Sequence, residues 1–312
     1  MSDIFLQMAI LFIIIAVGFL SHKSKIQYTD FDRALSRFII NISCPALVLS
    51  SVMGENLPDP DLVVPLGIVG VVSYALIMLI SIPGARLFTR NKADLGVYSF
   101  MLVFGNVGFI GYPVVAALFG REAIFFAAVL NFANSLFIFS LGMFFVSGGQ
   151  QKLHFDYKFL INPIMIASYL SILIVYFEIK GFPALISEPM KMIGSITVPG
   201  ALLIIGSSIA QIPLKKMCGN IGIYAMCVMR LLFLPFVVYG LTLLLTDSKI
   251  IITVNTVLFA MPVATLGTMF CLINRRDDSL ITQGIFISTI ASMLTIPCVY
   301  TLVTYLNEIV GI

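Results

Sequence analysis

The sequence predicts an all-α polytopic membrane protein: ten transmembrane helices in two inverted five-helix repeats. Three observations predict it. Of 312 residues, 60% are hydrophobic and 11% are charged, and mean hydropathy is +1.07; a soluble domain carries roughly 25% charged residues. Apolar runs recur along the whole chain, each near the ~20 residues a bilayer requires. Similar proline-marked blocks recur 154 residues apart, at Pro45 and Pro199.

Loop punctuation places the spans at 3–20, 34–53, 62–83, 96–119, 123–146, 160–178, 190–209, 220–245, 250–273 and 280–306. The first is read as a spanning helix and not as a signal peptide. It has Asp3 where a basic n-region belongs, runs apolar to Leu20 and lacks an A-x-A-like end. The loops after spans one, three, five, seven and nine hold twelve basic residues: Lys23, Lys25, Arg33, Arg86, Arg90, Lys92, Lys152, Lys158, Lys215, Lys216, Arg275 and Arg276. The opposite loops hold three: Arg121, Lys180 and Lys249. By the positive-inside rule both termini face outward and the loop between spans five and six is cytoplasmic. A bacterial inner membrane is the expected location.

Spans two and seven carry the repeat. One reads Ser43-Cys44-Pro45-Ala46-Leu47, the other Thr197-Val198-Pro199-Gly200-Ala201-Leu202. Each follows an acidic turn, with Thr29 and Ser187 expected as N-caps. The same offset carries Pro113 onto Gly267. Five spans per copy is odd, so the second copy, 151–312, is inverted relative to the first, 1–150.

Span four is interrupted by Phe104-Gly105-Asn106-Val107-Gly108-Phe109-Ile110-Gly111-Tyr112-Pro113. Gly105, Gly108 and Gly111 form either a small-residue face for close helix packing or, with Asn106 and Pro113, a broken helix. Proline removes a donor and glycine permits a turn. A break leaves free N–H groups at a helix N-terminus, which favours an anion. Span nine has the matching stretch, Ala260-Met261-Pro262 through Thr268. There Met261, Thr265 and Thr268 are placed to line the gap, unless the two threonine hydroxyls bond back to their own helix. Paired interrupted helices in an inverted repeat point to a midplane substrate site. Asn131 and Asn134 share one face of span five and serve either as interhelical contacts or as ligand contacts. Arg230, inside span eight ahead of Pro235, is a costly intramembrane cation. It is either electrostatic in role or structural, snorkelling or donating to carbonyls freed by Pro235.

All fifteen acidic residues fall in loops or near span ends, so no mid-membrane carboxylate is placed to relay protons. Amides, hydroxyls and helix dipoles suit a small organic anion. In a negative-inside cell such an anion leaves without a coupled ion, driven by about 2.3 kcal/mol per 100 mV. The five cysteines are scattered and read as small core residues, and His22 and His154 are placed in loops. Neither a metal site nor a bound cofactor is expected. Basic tracts interleaved with aromatics, which would suggest nucleic-acid binding, are absent. H-E-x-x-H, G-x-S-x-G and a mid-membrane carboxylate pair are also absent, which disfavours an intramembrane enzyme.

Gly105-Asn106 with Gly111 and Pro113, Arg230 with Pro235, Ala260-Met261-Pro262 and the Pro45 block together resemble the auxin efflux carrier family, in blocks spread over essentially the whole chain. The resemblance implies a scaffold of helices one, two, six and seven that forms a homodimer through helices two and seven. It also implies a mobile transport domain of helices three to five and eight to ten, working as an elevator. Helices four and nine would cross at their breaks beside an organic-anion site. Asn106, the backbone around Pro113, and Asn131 or Asn134 would contact substrate. Gly267 stands where plant carriers have a proline. The long hydrophilic loop of some plant members is absent, so small carboxylates fit better than indoles. Two other readings remain: a sodium-coupled organic-anion symporter of the bile-acid type, and a receptor or sensor on a carrier fold.

Overall fold

The structure, a computed structural model, describes residues 2–55, 57–148, 161–211 and 221–311. His154, Cys218, Lys152, Lys158, Lys215 and Lys216 lie outside the described residues, as does most of the hydrophilic segment after Ser147. Among the described residues the chain is all-helical, with no strand and one isolated antiparallel bridge.

In order the helices are α1 (Ser2–Lys23), α2 (29–50), α3 (Pro60–Leu87), α4 (Lys92–Val103), α5 (Val107–Phe119), α6 (Ala123–Val146) and α7 (Pro163–Tyr176). Then come α8 (Ala184–Gln211), α9 (Ile221–Leu245), α10 (Lys249–Phe259), α11 (Leu266–Ile273) and α12 (Ser279–Val310). Five of these, α3, α6, α8, α9 and α12, are long and apolar enough to cross a membrane. The helix limits fall within four residues of the apolar runs read from the sequence, except that α2 starts five residues earlier and α8 six. The interruptions fall where Gly105-Asn106 and Met261-Pro262 stand.

Three helices widen into a π turn directly ahead of a proline. These are Ile39–Ser43 before Pro45, Val107–Gly111 before Pro113, and Met229–Phe233 before Pro235. In the last, the Leu234 N–H reaches back to Met229 O. A proline ring clashes with the carbonyl of the preceding turn, and the wider turn gives it room. Pro113 therefore lies within a continuing helix, and the interruption in span four is confined to residues 104–106.

Other local expectations are corrected. Thr29 is the first helical residue, with Tyr28 at the cap; its hydroxyl donates instead to Gln211 Oε1. The helix carrying Ser187 begins at Ala184 behind Pro183, so Ser187 is interior and buried. Proline's fixed φ starts that helix a turn earlier than the acidic cluster suggests. His22 belongs to α1 and not to a loop. Cys44, Cys227 and Cys271 are buried, but Cys298 is exposed on α12.

The chain divides into two compact units, each drawing on both halves of the sequence. The first holds Met1–Gly67, Gly108–Phe132 and Leu160–Ile212. Here α1 and α8 pack backbone to backbone. A side chain at Gly18 would stand 2.8 Å from Leu203 Cα, and one at Gly206 would stand 2.7 Å from Phe19 N. At one end of this interface the buried Asp32 accepts from Ser207 Oγ, from Gln211 Nε2 at 3.0 Å and from Gln27 Nε2 at 2.6 Å. Ser43 Oγ and Thr197 Oγ1 meet at 2.7 Å between α2 and α8.

The second unit holds Ile68–Val107, Ala133–Phe159 and Pro213–Ile312. Its core gathers Phe100, Phe104 and Met101 of the span-four region with Phe270, Ile281 and Met226. Two buried polar rungs tie α10 to its neighbours. Asn255 Nδ2 donates to Ser73 Oγ at 3.0 Å and to Thr242 Oγ1 at 2.9 Å. Asn307 donates to Thr253 Oγ1 and accepts from the Tyr239 hydroxyl, both at 3.0 Å. Buried from water, these groups satisfy one another.

Candidate functional site at the paired helix breaks

The two interruptions meet inside the second unit. Asn106 N–H donates to Pro262 O at 2.8 Å, and Ala264 N–H donates to Phe104 O at 3.0 Å. These bonds make the antiparallel bridge between Gly105 and Val263. It is the closely spaced kind of pair, in which the two residues between the bonds approach most tightly. Buried irregular backbone is tolerated only when it is satisfied within the protein. Here each break satisfies the other. Val263 N–H, which faces away from the partner segment, donates to Ser288 Oγ of α12 at 3.0 Å.

Arg230 completes the arrangement. It is 1% exposed. Its Nε donates to Met261 O at 3.1 Å and its Nη1 to Leu102 O. It neither snorkels nor serves the turn freed by Pro235: its acceptors are carbonyls left over by the two breaks. Gly105 makes the room, since a Cβ there would stand 2.5 Å from Arg230 Nη2 and 3.3 Å from Met261 Cβ. Among the described residues the ion pairs are Arg33–Asp30 and Lys191–Glu188, both near the surface. None involves Arg230.

The remaining sequence-derived residues distribute as follows. Gly105, Asn106, Met261 and Pro262 are brought together, with Asn106 buried. Thr265 is exposed at the start of α11. Thr268 Oγ1 donates to Thr265 O at 2.7 Å, the back-bonded alternative. Gly267 is a packing position: a Cβ there would collide with Ile281 and lie 2.6 Å from Phe100 Cε1. Gly108 and Pro113 belong to the first unit, and nothing lies within 4 Å of a Gly108 Cβ. This removes the close-packing explanation for Gly108. Asn131, also in the first unit, donates to the buried Tyr112 hydroxyl at 3.0 Å, while Asn134 is buried in the second.

This architecture has known relatives. The family profile described as membrane transport protein matches residues 3–300. The chain belongs to that family, the family of the auxin efflux carriers. It is therefore an integral membrane transporter. It is 26% identical over 311 residues to an uncharacterized transporter of Methanocaldococcus jannaschii, covering 92% of this chain and 94% of the relative. It is 23% identical over 288 residues to an uncharacterized transporter of Methanothermobacter thermautotrophicus, covering 91% and 93%.

Several residues of this transporter's site region escape a sequence reading. Ser288 looks like any membrane serine until Val263 N–H is seen to need an acceptor. Asn255 had a visible signal, an amide inside Ile252-Thr253-Val254-Asn255-Thr256-Val257. An amide in such a run demands polar partners, and Ser73 and Thr242 supply them.

Proposed function

We propose that this transporter is a secondary carrier of small organic anions, mono- or dicarboxylates, acting as an exporter or exchanger. The observation that carries the reading is the pairing of the two broken segments around a buried guanidinium with no carboxylate partner among the described residues. Such a centre is net positive and lined by amides, which favours a negative cargo. Asn106, with Gly105, Met261 and Pro262, forms its polar lining. Beyond each break a helix begins, at Val107 and at Leu266, and helix N-termini favour anions.

An inverted-repeat plan of ten spans is supported by the helix limits. The half-helices α5 and α11 end 154 residues apart, at Phe119 and Ile273. The hydrogen-bonded pair Ser43 and Thr197 is separated by the same 154 residues. Two residues equated by a repeat meet each other where a pseudo-two-fold axis passes between them. In an elevator reading, helices one, two, six and seven, which fall together in the first unit, form a scaffold dimeric through helices two and seven, and a transport domain of helices three to five and eight to ten moves. Orientation with both termini outside follows from the basic loops.

The test is uptake by proteoliposomes of radiolabelled mono- and dicarboxylates at fixed voltage, with Asn106→Ala as control. Saturable flux whose KM rises in the Asn106 variant supports the proposal. Normal flux in that variant moves the site elsewhere, and saturable ligand binding without any flux favours a receptor.

A further inference from the structure

We infer that the Arg230 guanidinium fills the seat of a coupling cation, and that removing it opens a sodium site in its place. The inference rests on the proposed carrier function and concerns the same centre. In an unbroken helix, Leu102 O would accept the Asn106 N–H, which here goes to Pro262 O instead. Met261 O stands in the other break. Leu102 O belongs to the last turn of α4, where the helix dipole is negative, and Met261 O lies two residues past the end of α10. The two carbonyls converge on one guanidinium. Carbonyl oxygens at interrupted helices are the ligands that transporters offer to coupling ions, and hard monovalent and divalent cations prefer oxygen. Leu258 O lies near the same point, 3.5 Å from where a Gly105 Cβ would stand.

The charge account closes the same way. Among the described residues no carboxylate pairs with Arg230, and the acceptors given for its Nε and Nη1 are backbone oxygens. A chain that carries its own cation there gains nothing from binding another.

The experiment uses purified full-length protein in detergent, with no organic anion present, melted in sodium chloride and in choline chloride. Wild type and Arg230→Lys, which retain a cation, are expected to melt alike in both salts. Arg230→Ser is expected to melt lower in choline and to gain about 3 °C or more in sodium, as a ligand bound only to the folded state stabilises it. Sodium stabilisation of wild type or of the lysine variant would overturn the inference. So would a folded serine variant that melts identically in both salts. If the serine variant folds in neither salt, Arg230→Ala is melted in its place: a gain in sodium upholds the inference, and identical melts, or no folding in sodium, overturn it. Because the melts contain no cargo, a failure here is separate from a failure of the organic-anion reading, which flux alone reveals.

Discussion

Gly105 is the residue on which the crossing turns. It sits between Arg230 and Met261 with space for a hydrogen and no more. Gly105→Ala is expected to displace the guanidinium and lower transport at least tenfold, read as initial flux at equal protein density. Asn106→Ala keeps the backbone bond to Pro262 and removes only the amide side chain. It is expected to raise KM more than it lowers the maximal rate, because a uniform binding contact is lost. Gly105, Asn106, Met261 and Pro262 were legible in the sequence because glycine, asparagine and proline are conspicuous in an apolar run. The partners of Arg230 were not. They are main-chain carbonyls, which every residue has, and only the meeting of two distant breaks leaves these particular ones available. Thr29 and Ser187 failed as caps for a related reason: a neighbouring proline or an interhelical partner outcompeted the local cap.

At the scale of elements, three prolines are each preceded by a π turn. The sequence implied a break running through Pro113, whereas the chain stays helical there, as it does at Pro45 and Pro235, by widening the turn ahead of each. The interruption in span four was therefore located correctly but drawn too long. Half-helix α10 is held by its two polar rungs. Replacing Asn255 with Leu removes two hydrogen bonds from buried hydroxyls, and Thr242 keeps its bond to Val238 O. Interhelical bonds of this kind contribute about 0.6 kcal/mol on average in membranes. A loss of about 1–2 kcal/mol is expected, read as a lower melting temperature in detergent. Ser288→Ala leaves Val263 N–H without its acceptor. It is expected to cost a similar amount, and Ser288→Thr is expected to restore it.

For the whole molecule, charge and hydropathy settled membrane residence from composition alone. The division into two interleaved units was less visible. Its boundaries cut through spans three, four and five, and no composition shift marks them. Orientation is open to direct test. With Cys298 replaced by serine, cysteines introduced at Ser2 and Gly311 are expected to react with a membrane-impermeant maleimide from outside intact cells. Labelling only after permeabilisation reverses the topology. The central claim is that the paired breaks around Arg230 carry an organic anion by charge and need no coupled ion. The measurement that tests it most directly is carboxylate flux into voltage-controlled proteoliposomes without sodium or a pH gradient. Flux that follows the membrane potential in sign and size is the expected result; flux that ignores voltage, or appears only with sodium, contradicts the account.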